Sequence, residues 1–170
     1  MRETKNAIAA AIAVAIAALA TAASAAEVVA MGASNTYGMG VERGEDYPAQ
    51  LQALLAARGV RAKVANAGIN GDTTDGMANR FARVVDADTR VLILQKGGND
   101  ARRGMSPATT EANVAAIRKA AAERGIRVVM MPNSMLRKWP HQPDGQHLTP
   151  EGYAGLAREI LPEVVSALRR

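Results

Sequence analysis

The chain has 170 residues, 48% of them apolar and 22% charged, the composition of one globular domain and not of a disordered chain. It holds no cysteine, two histidines and 3% aromatic residues, which excludes disulfides, thiolate metal sites and a cysteine nucleophile and leaves little material for stacking nucleic-acid bases. The net charge of +5 comes from basic residues scattered along the chain, which reads as a solvated basic surface and not as a nucleic-acid footprint.

Residues 1–26 read as a secretory leader. Arg2 and Lys5 form a short positive region, a mainly alanine apolar stretch follows over 7–20, and Ala23-Ser24-Ala25 has the small-x-small form of a cleavage site. The apolar stretch is shorter than the roughly 20 residues that span a bilayer, so no stable membrane insertion is expected after cleavage. Loss of Arg2, Glu3 and Lys5 lowers the net charge from +5 to +4. The expected organisation is a signal peptide over 1–26 and one domain over 27–170, exported to the periplasm or the extracellular space.

Beyond the leader, 27–31 is short, apolar and β-branched and reads as a buried strand running into Gly32. A helix follows over 47–58, with Leu51, Leu54 and Leu55 at helical spacing and Gly59 as its stop. A second strand is expected over 61–65, then a loop from Asn66, then a helix over 74–85 carrying Met77 and Phe81 on one face. The run 90–95 is the clearest buried strand, broken by Gly97-Gly98, and Ser106-Pro107 opens a helix that runs to Arg124. A fourth strand is expected over 126–131. Residues 132–148 lack periodicity and read as a loop, and Thr149-Pro150 opens a last helix with Leu156, Ile160, Leu161, Val164 and Leu168 facing inward.

This alternation implies a three-layer α/β/α domain around a mainly parallel, flavodoxin-like sheet of about four main strands. In such sheets ligands sit beyond the carboxyl ends of the strands. Four segments fall there: Gly32 to Gly38, Asn66 to Asp72, Gly97 to Asp100, and Asp144 to His147. Ser34 lies just past a strand end between glycines, where a hydroxyl can be exposed. Asp144 and His147 are three residues apart, so one tight turn brings the carboxylate to one imidazole nitrogen while the other faces a cleft. Ser, His and Asp together are what a nucleophilic hydrolase needs. Gly71 offers an unobstructed backbone N–H and Asn99 a side-chain amide; with the N–H of Ser34 they would make an oxyanion hole. Each piece alone is a common turn or cap feature, and the argument rests on all four meeting at one edge of the sheet.

These blocks, in this order, resemble the SGNH (GDSL-type) hydrolases, and within them the secreted bacterial acyl-CoA thioesterases, arylesterases and lysophospholipases. The resemblance spans about 27–168. It implies Ser34 as nucleophile, Asp144 and His147 completing the triad, and Ser34, Gly71 and Asn99 as oxyanion hole, with no metal and no cofactor. The implied substrate is a small acyl ester or thioester. Two departures stand out. Ala33 occupies the Asp position of Gly-Asp-Ser-Leu, which is not the nucleophile. Only 44 residues separate Asn99 from Asp144, where relatives fit a further helix–strand unit, so four main strands are expected in place of five.

Met135 and Trp139, in the irregular loop, are the residues expected to line an acyl pocket, while Met130 and Met131 read as core. His141 reads as a surface residue, lacking a carboxylate partner at useful spacing. Asp100 reads as fixing its loop through backbone hydrogen bonds. Arg102 and Arg103 read as solvated, with phosphate or carboxylate binding as the other option. Two further readings remain open: a carbohydrate O-deacetylase, which a shallow polar site would favour over an apolar groove, and a catalytically inactive periplasmic binding module.

Overall fold

The structure, a computed structural model, describes residues 27–169; the leader expected over 1–26 lies outside them. Four strands, β1 (Val28–Gly32), β2 (Val64–Gly68), β3 (Val91–Gln95) and β4 (Arg127–Met131), form one parallel sheet in the order β2-β1-β3-β4. The main helices are α2 (Tyr47–Ala57), α3 (Thr74–Val84), α5 (Pro107–Glu123) and α7 (Pro150–Arg169). Three single-turn helices, α1 (Ser34–Tyr37), α4 (Asn99–Arg102) and α6 (Asn133–Leu136), sit directly after β1, just beyond β3 and just beyond β4.

Alternation along the strands divides the core into two layers. Val28 and Ala30 of β1, with Val91 and Ile93 of β3, join Leu51 and Leu55 of α2 and the buried row of α7 on one face. Val29, Met31, Leu92 and Leu94 face the other way, onto Met77 and Phe81 of α3 and Val114 and Ile117 of α5. Every residue of β1 and β3 is buried, which is why both read as unbroken apolar runs. Full burial of each such aliphatic side chain contributes about 1.5–3 kcal/mol. In α7, Leu156, Ile160, Leu161, Val164 and Leu168 are all buried. Pro162 sits inside that helix at an exposed position, where its missing N–H faces water.

Helix starts follow the expected chemistry. Asp46 caps α2 by accepting from the Ala49 N–H, Thr73 caps α3 through Gly76, and Ser106 caps α5 through Thr109 with Pro107 next. Two expectations are corrected. The second strand lies at Val64–Gly68 and not at 61–65, because pairing with β1 sets Val64 opposite Val28 and Gly68 opposite Gly32. Ala65, Asn66 and Ala67 have weak strand propensity, so only the partner strand fixes their conformation. The segment 132–148 is not wholly loop, since it contains α6; four residues are too few to show a helical period.

After β1 the chain moves to β2 on one side, and β3 lies on the other. The carboxyl ends of β1 and β3 therefore flank the point where the strand order reverses, the ligand position in open α/β sheets. Gly68 makes that corner possible: a Cβ there would lie 2.1 Å from the backbone nitrogen of Tyr37, so α1 could not cross the end of β2. No helix among the described residues is long and apolar enough to cross a membrane.

Candidate active site

Ser34 is the first residue of α1, immediately past β1. Ala33 precedes it with φ −100° and ψ −144°, and Gly38 ends the turn with φ 87°, donating to the Ser34 carbonyl. The N–H of Ser34 thus belongs to a helix start, where backbone donors have no partner in the chain. Its loop is held from beneath by Gln95 at the end of β3. Gln95 Oε1 accepts from the Ala33 N–H at 3.1 Å and from the Thr36 hydroxyl at 2.7 Å, and Gln95 and Thr36 are both buried.

Asn99 opens α4 beyond β3. Its side-chain Nδ2 donates to the Asp72 carbonyl at 2.8 Å, leaving the amide's second hydrogen for a ligand. Gly71, one residue earlier than Asp72, has φ +74°, a conformation that favours glycine. Its carbonyl accepts from Arg103 at 3.0 Å.

Two carboxylates hold this wall, the half-buried Asp72 and the buried Asp100. Asp72 meets the Arg80 guanidinium through both Nε and Nη2 at 2.9 Å, and Arg80 also donates to the Gly32 carbonyl at 3.2 Å. Asp100 accepts from the Thr74 N–H at 3.2 Å, from the Thr74 hydroxyl, and from Thr110 at 3.3 Å. Its charge thereby lies at the positive end of α3. Asp100 thus ties its loop to α3, as expected, but through one backbone donor, the Thr74 N–H, and two threonine hydroxyls. Asp72 itself is not the cap of α3; Thr73 fills that place.

His147 and Asp144 lie in a small hairpin closed by the bridge between His141 and Leu148 and by the Gln142 N–H on the His147 carbonyl at 2.7 Å. Asp144 Oδ2 is 2.5 Å from His147 Nδ1, while Oδ1 accepts from the backbone N–H groups of Gln146 and His147 at 2.9 and 3.0 Å. These donors, the His147 N–H foremost, hold the Asp144 carboxyl well below the usual carboxylate range. One carboxylate thus both forms the turn and orients the ring, leaving Nε2 as the free imidazole nitrogen.

Asn35, next to Ser34, joins this hairpin to α1. Its Nδ2 donates to the Gln146 carbonyl at 3.0 Å; its Oδ1 accepts from the Leu148 N–H at 3.3 Å and from the Tyr153 hydroxyl at 3.1 Å. Asn35 therefore grips the chain on both sides of His147. Nothing in the sequence singled it out beyond its place after Ser34.

Ser34, Asn99 and His147 line one open cleft of ≈ 260 Å³. Asp144 reaches it through His147, and Gly71, which precedes the Asp72 carbonyl that Asn99 bonds, is not part of the lining. His141 is half-buried and lines the same cleft, contrary to the surface role expected of it, but no carboxylate pairs with it among the described residues. Met135 and Trp139 do not line the cleft. Met135 packs against the α2–α7 core layer. The Trp139 ring lies against Gly155 of α7, and its indole N–H donates to Glu159 at 3.0 Å. The acyl pocket expected from these two residues is thus corrected: the last helix takes both side chains. A larger cavity of ≈ 410 Å³ between β2 and α2 has none of the expected catalytic residues on its walls.

A family model for GDSL-like lipases and acylhydrolases matches residues 30–166. The esterase TesA of Pseudomonas aeruginosa is 31% identical over 105 residues, 61% of this chain and 52% of its own length. The chain thus spans about half the length of the curated relatives it matches. Among solved structures, AlinE4, described as an SGNH-hydrolase family esterase, is 28% identical with a TM-score of 0.59, covering 86% of this chain and 75% of its own. A TesA crystal structure at 22% identity, covering 82% of this chain and 98% of its own with a TM-score of 0.75, shares the fold.

Proposed function

The chain belongs to the GDSL-like lipase/acylhydrolase family, and on that premise we propose that it hydrolyses carboxylic esters through an acyl-enzyme on Ser34. The observation that carries this reading is His147: it lines the same cleft as Ser34 while its Nδ1 is held at 2.5 Å by Asp144. His147 Nε2 takes the proton from the Ser34 hydroxyl as the oxygen bonds to the acyl carbon. The charge that develops on the carbonyl oxygen meets the N–H of Ser34 and the free amide hydrogen of Asn99, both on the cleft wall. Each such donor contributes about 3 kcal/mol to the transition state. The alcohol or thiol leaves with the proton carried by His147, and water, deprotonated by the same nitrogen, releases the acid.

An organophosphonate ester tests this directly, since only an activated serine reacts with it. The expected adduct lies on Ser34 and is absent from Ser34→Ala, which folds normally and loses hydrolysis of 4-nitrophenyl acetate. A folded Ser34→Ala protein with wild-type turnover would overturn the mechanism, and no adduct on the wild type would return the chain to an inactive binding module.

One observation favours a second substrate class within the same mechanism. The cleft offers the side-chain amides of Asn133 and Gln146, and is not lined by Met135 and Trp139. A shallow, amide-rich site suits O-acetyl groups on a carbohydrate, whose hydroxyls exchange hydrogen bonds with such amides, better than a long acyl chain. Release of acetate from acetylated sugars, compared with turnover of long-chain acyl thioesters and lysophospholipids, separates the two. For residues 1–26 the proposal remains a cleaved leader, supported by the positive region and the Ala23-Ser24-Ala25 site; mass spectrometry of exported protein should find a terminus at Ala26 or Glu27.

A further inference from the structure

The walls of the cleft carry no aspartate and no glutamate. They do carry two arginines, Arg102 at the end of α4 and Arg137 just past α6. Neither has an ion pair or a side-chain hydrogen bond among the described residues. Nearby arginines differ: Arg80 is paired with Asp72, and Arg103 is committed to the Gly71 carbonyl. Two like charges on one small cleft repel, and the lining supplies no anion to offset them.

We propose that Arg102 and Arg137 are the receptor for an anionic group, a phosphate or a carboxylate, on the alcohol half of the ester substrate. Guanidinium forks match both oxyanions through paired N–H···O contacts. Arg102 stands one helical turn after Asn99, so the helix that presents the oxyanion donor also presents this charge. The alcohol half is assigned because it must leave toward His147, and Arg137 reaches the cleft from the same post-β4 segment as His147. This inference rests on the esterase reading for its orientation, and it takes up the anion-binding option for Arg102 in place of the solvated one. It also agrees with the amide-rich lining, since such a cleft receives a polar, charged leaving group more readily than an aliphatic one.

The experiment compares 4-acetoxybenzoate and 4-acetoxyphenyl phosphate with neutral methyl 4-acetoxybenzoate. All three carry the same acetyl group, and the two anionic arms tell a carboxylate receptor from a phosphate receptor. In Arg102→Gln/Arg137→Gln, kcat/KM for at least one anionic ester should fall by about tenfold, as expected for lost charge-assisted hydrogen bonds, while the neutral ester changes by less than about twofold. Added salt should erode the wild-type rate on that anionic ester and leave the variant's unchanged. Both residues are exposed, so the fold should survive; the single variants, each losing part of the effect, serve if the double variant does not fold. An equal change on all three esters, or none on the anionic pair, overturns the proposal. A second readout, calorimetric binding of phenyl phosphate and benzoate to the wild type and the variants, is independent of turnover. Arginine-dependent binding without hydrolysis of any ester would sink the esterase reading and keep the receptor. Hydrolysis of the neutral ester with no arginine-dependent binding or discrimination would do the reverse.

Discussion

The two halves of the cleft are held in place by different means. The wall that carries Ser34 and Asn99 is fastened to the sheet and to α3 by buried groups: Gln95 under Ala33 and Thr36, Arg80 between Asp72 and the Gly32 carbonyl, Asp100 beneath Thr74. The histidine wall is a hairpin folded on itself. Its Asp144 side chain is 41% exposed, and all of that side chain's hydrogen bonds lie within three residues. It reaches the body of the protein chiefly through Asn35 and through Gln142, which donates to the Met39 carbonyl at 2.8 Å. The first wall is as stiff as the core and the second only as stiff as its clasp, so damage to the first should register mainly as lost stability and damage to the second mainly as lost turnover.

The largest expected effect tests which histidine the hairpin puts to use. His147→Ala should lower kcat by about 10⁴ or more, while His141→Ala should stay within about tenfold of the wild type, because His141 faces the cleft without a carboxylate to orient it. The opposite result, from steady-state assays on one aryl ester, would mean that the base has moved. Next comes the clasp. Asn35→Ala frees the chain on both sides of His147, and displacement of the ring by about 1 Å costs on the order of 10² in kcat. KM should barely move, and Asn35→Asp, which keeps the acceptor for Leu148 and Tyr153, should recover part of the rate. An equal rise in KM would show Asn35 to be a substrate contact instead.

Arg80→Ala probes the stiff wall. It strands the Asp72 carboxylate, whose side chain is 10% exposed, and should cost about 3 kcal/mol of stability. That corresponds to roughly 6–12 °C in Tm for a domain of this size, read by calorimetry, with the surviving folded enzyme keeping most of its kcat. The smallest effect concerns pH. Asp144 is held below the usual carboxylate range in the folded chain, so its hydrogen bonds stabilise the fold fully above the unfolded value of about 4 and lose that contribution as pH falls further. The Tm difference between the wild type and Asp144→Asn should therefore shrink as pH falls below about 4. A difference that vanished near neutral pH would contradict the depressed ionisation.

Much of this was legible in the chain order of residues. Strands β1 and β3, buried on both faces, announce themselves as apolar runs, and the capped helices as periodic ones, because these patterns are local. Ser34, Asn99 and the Asp144–His147 pair were legible for a related reason: each falls where a strand or helix must begin or end, and the Asp–His contact closes within a single turn. The register of β2 was not, since Ala65, Asn66 and Ala67 express no preference until β1 lies beside them.

What only the tertiary structure decided is how those local pieces are joined. Gln95 meets Ala33 across 62 residues, and Asn35 meets Gln146 across 111, separations over which no periodicity or spacing rule operates. Met135 and Trp139 show the same limit: an irregular loop leaves their side chains unassigned, and the nearness of α7, with room at Gly155 and an acceptor at Glu159, draws the indole away from the cleft. The arginines follow for the complementary reason. Sequence alone determined that Arg102 and Arg137 carry charge; packing determined that they share one cleft with no acid on its walls.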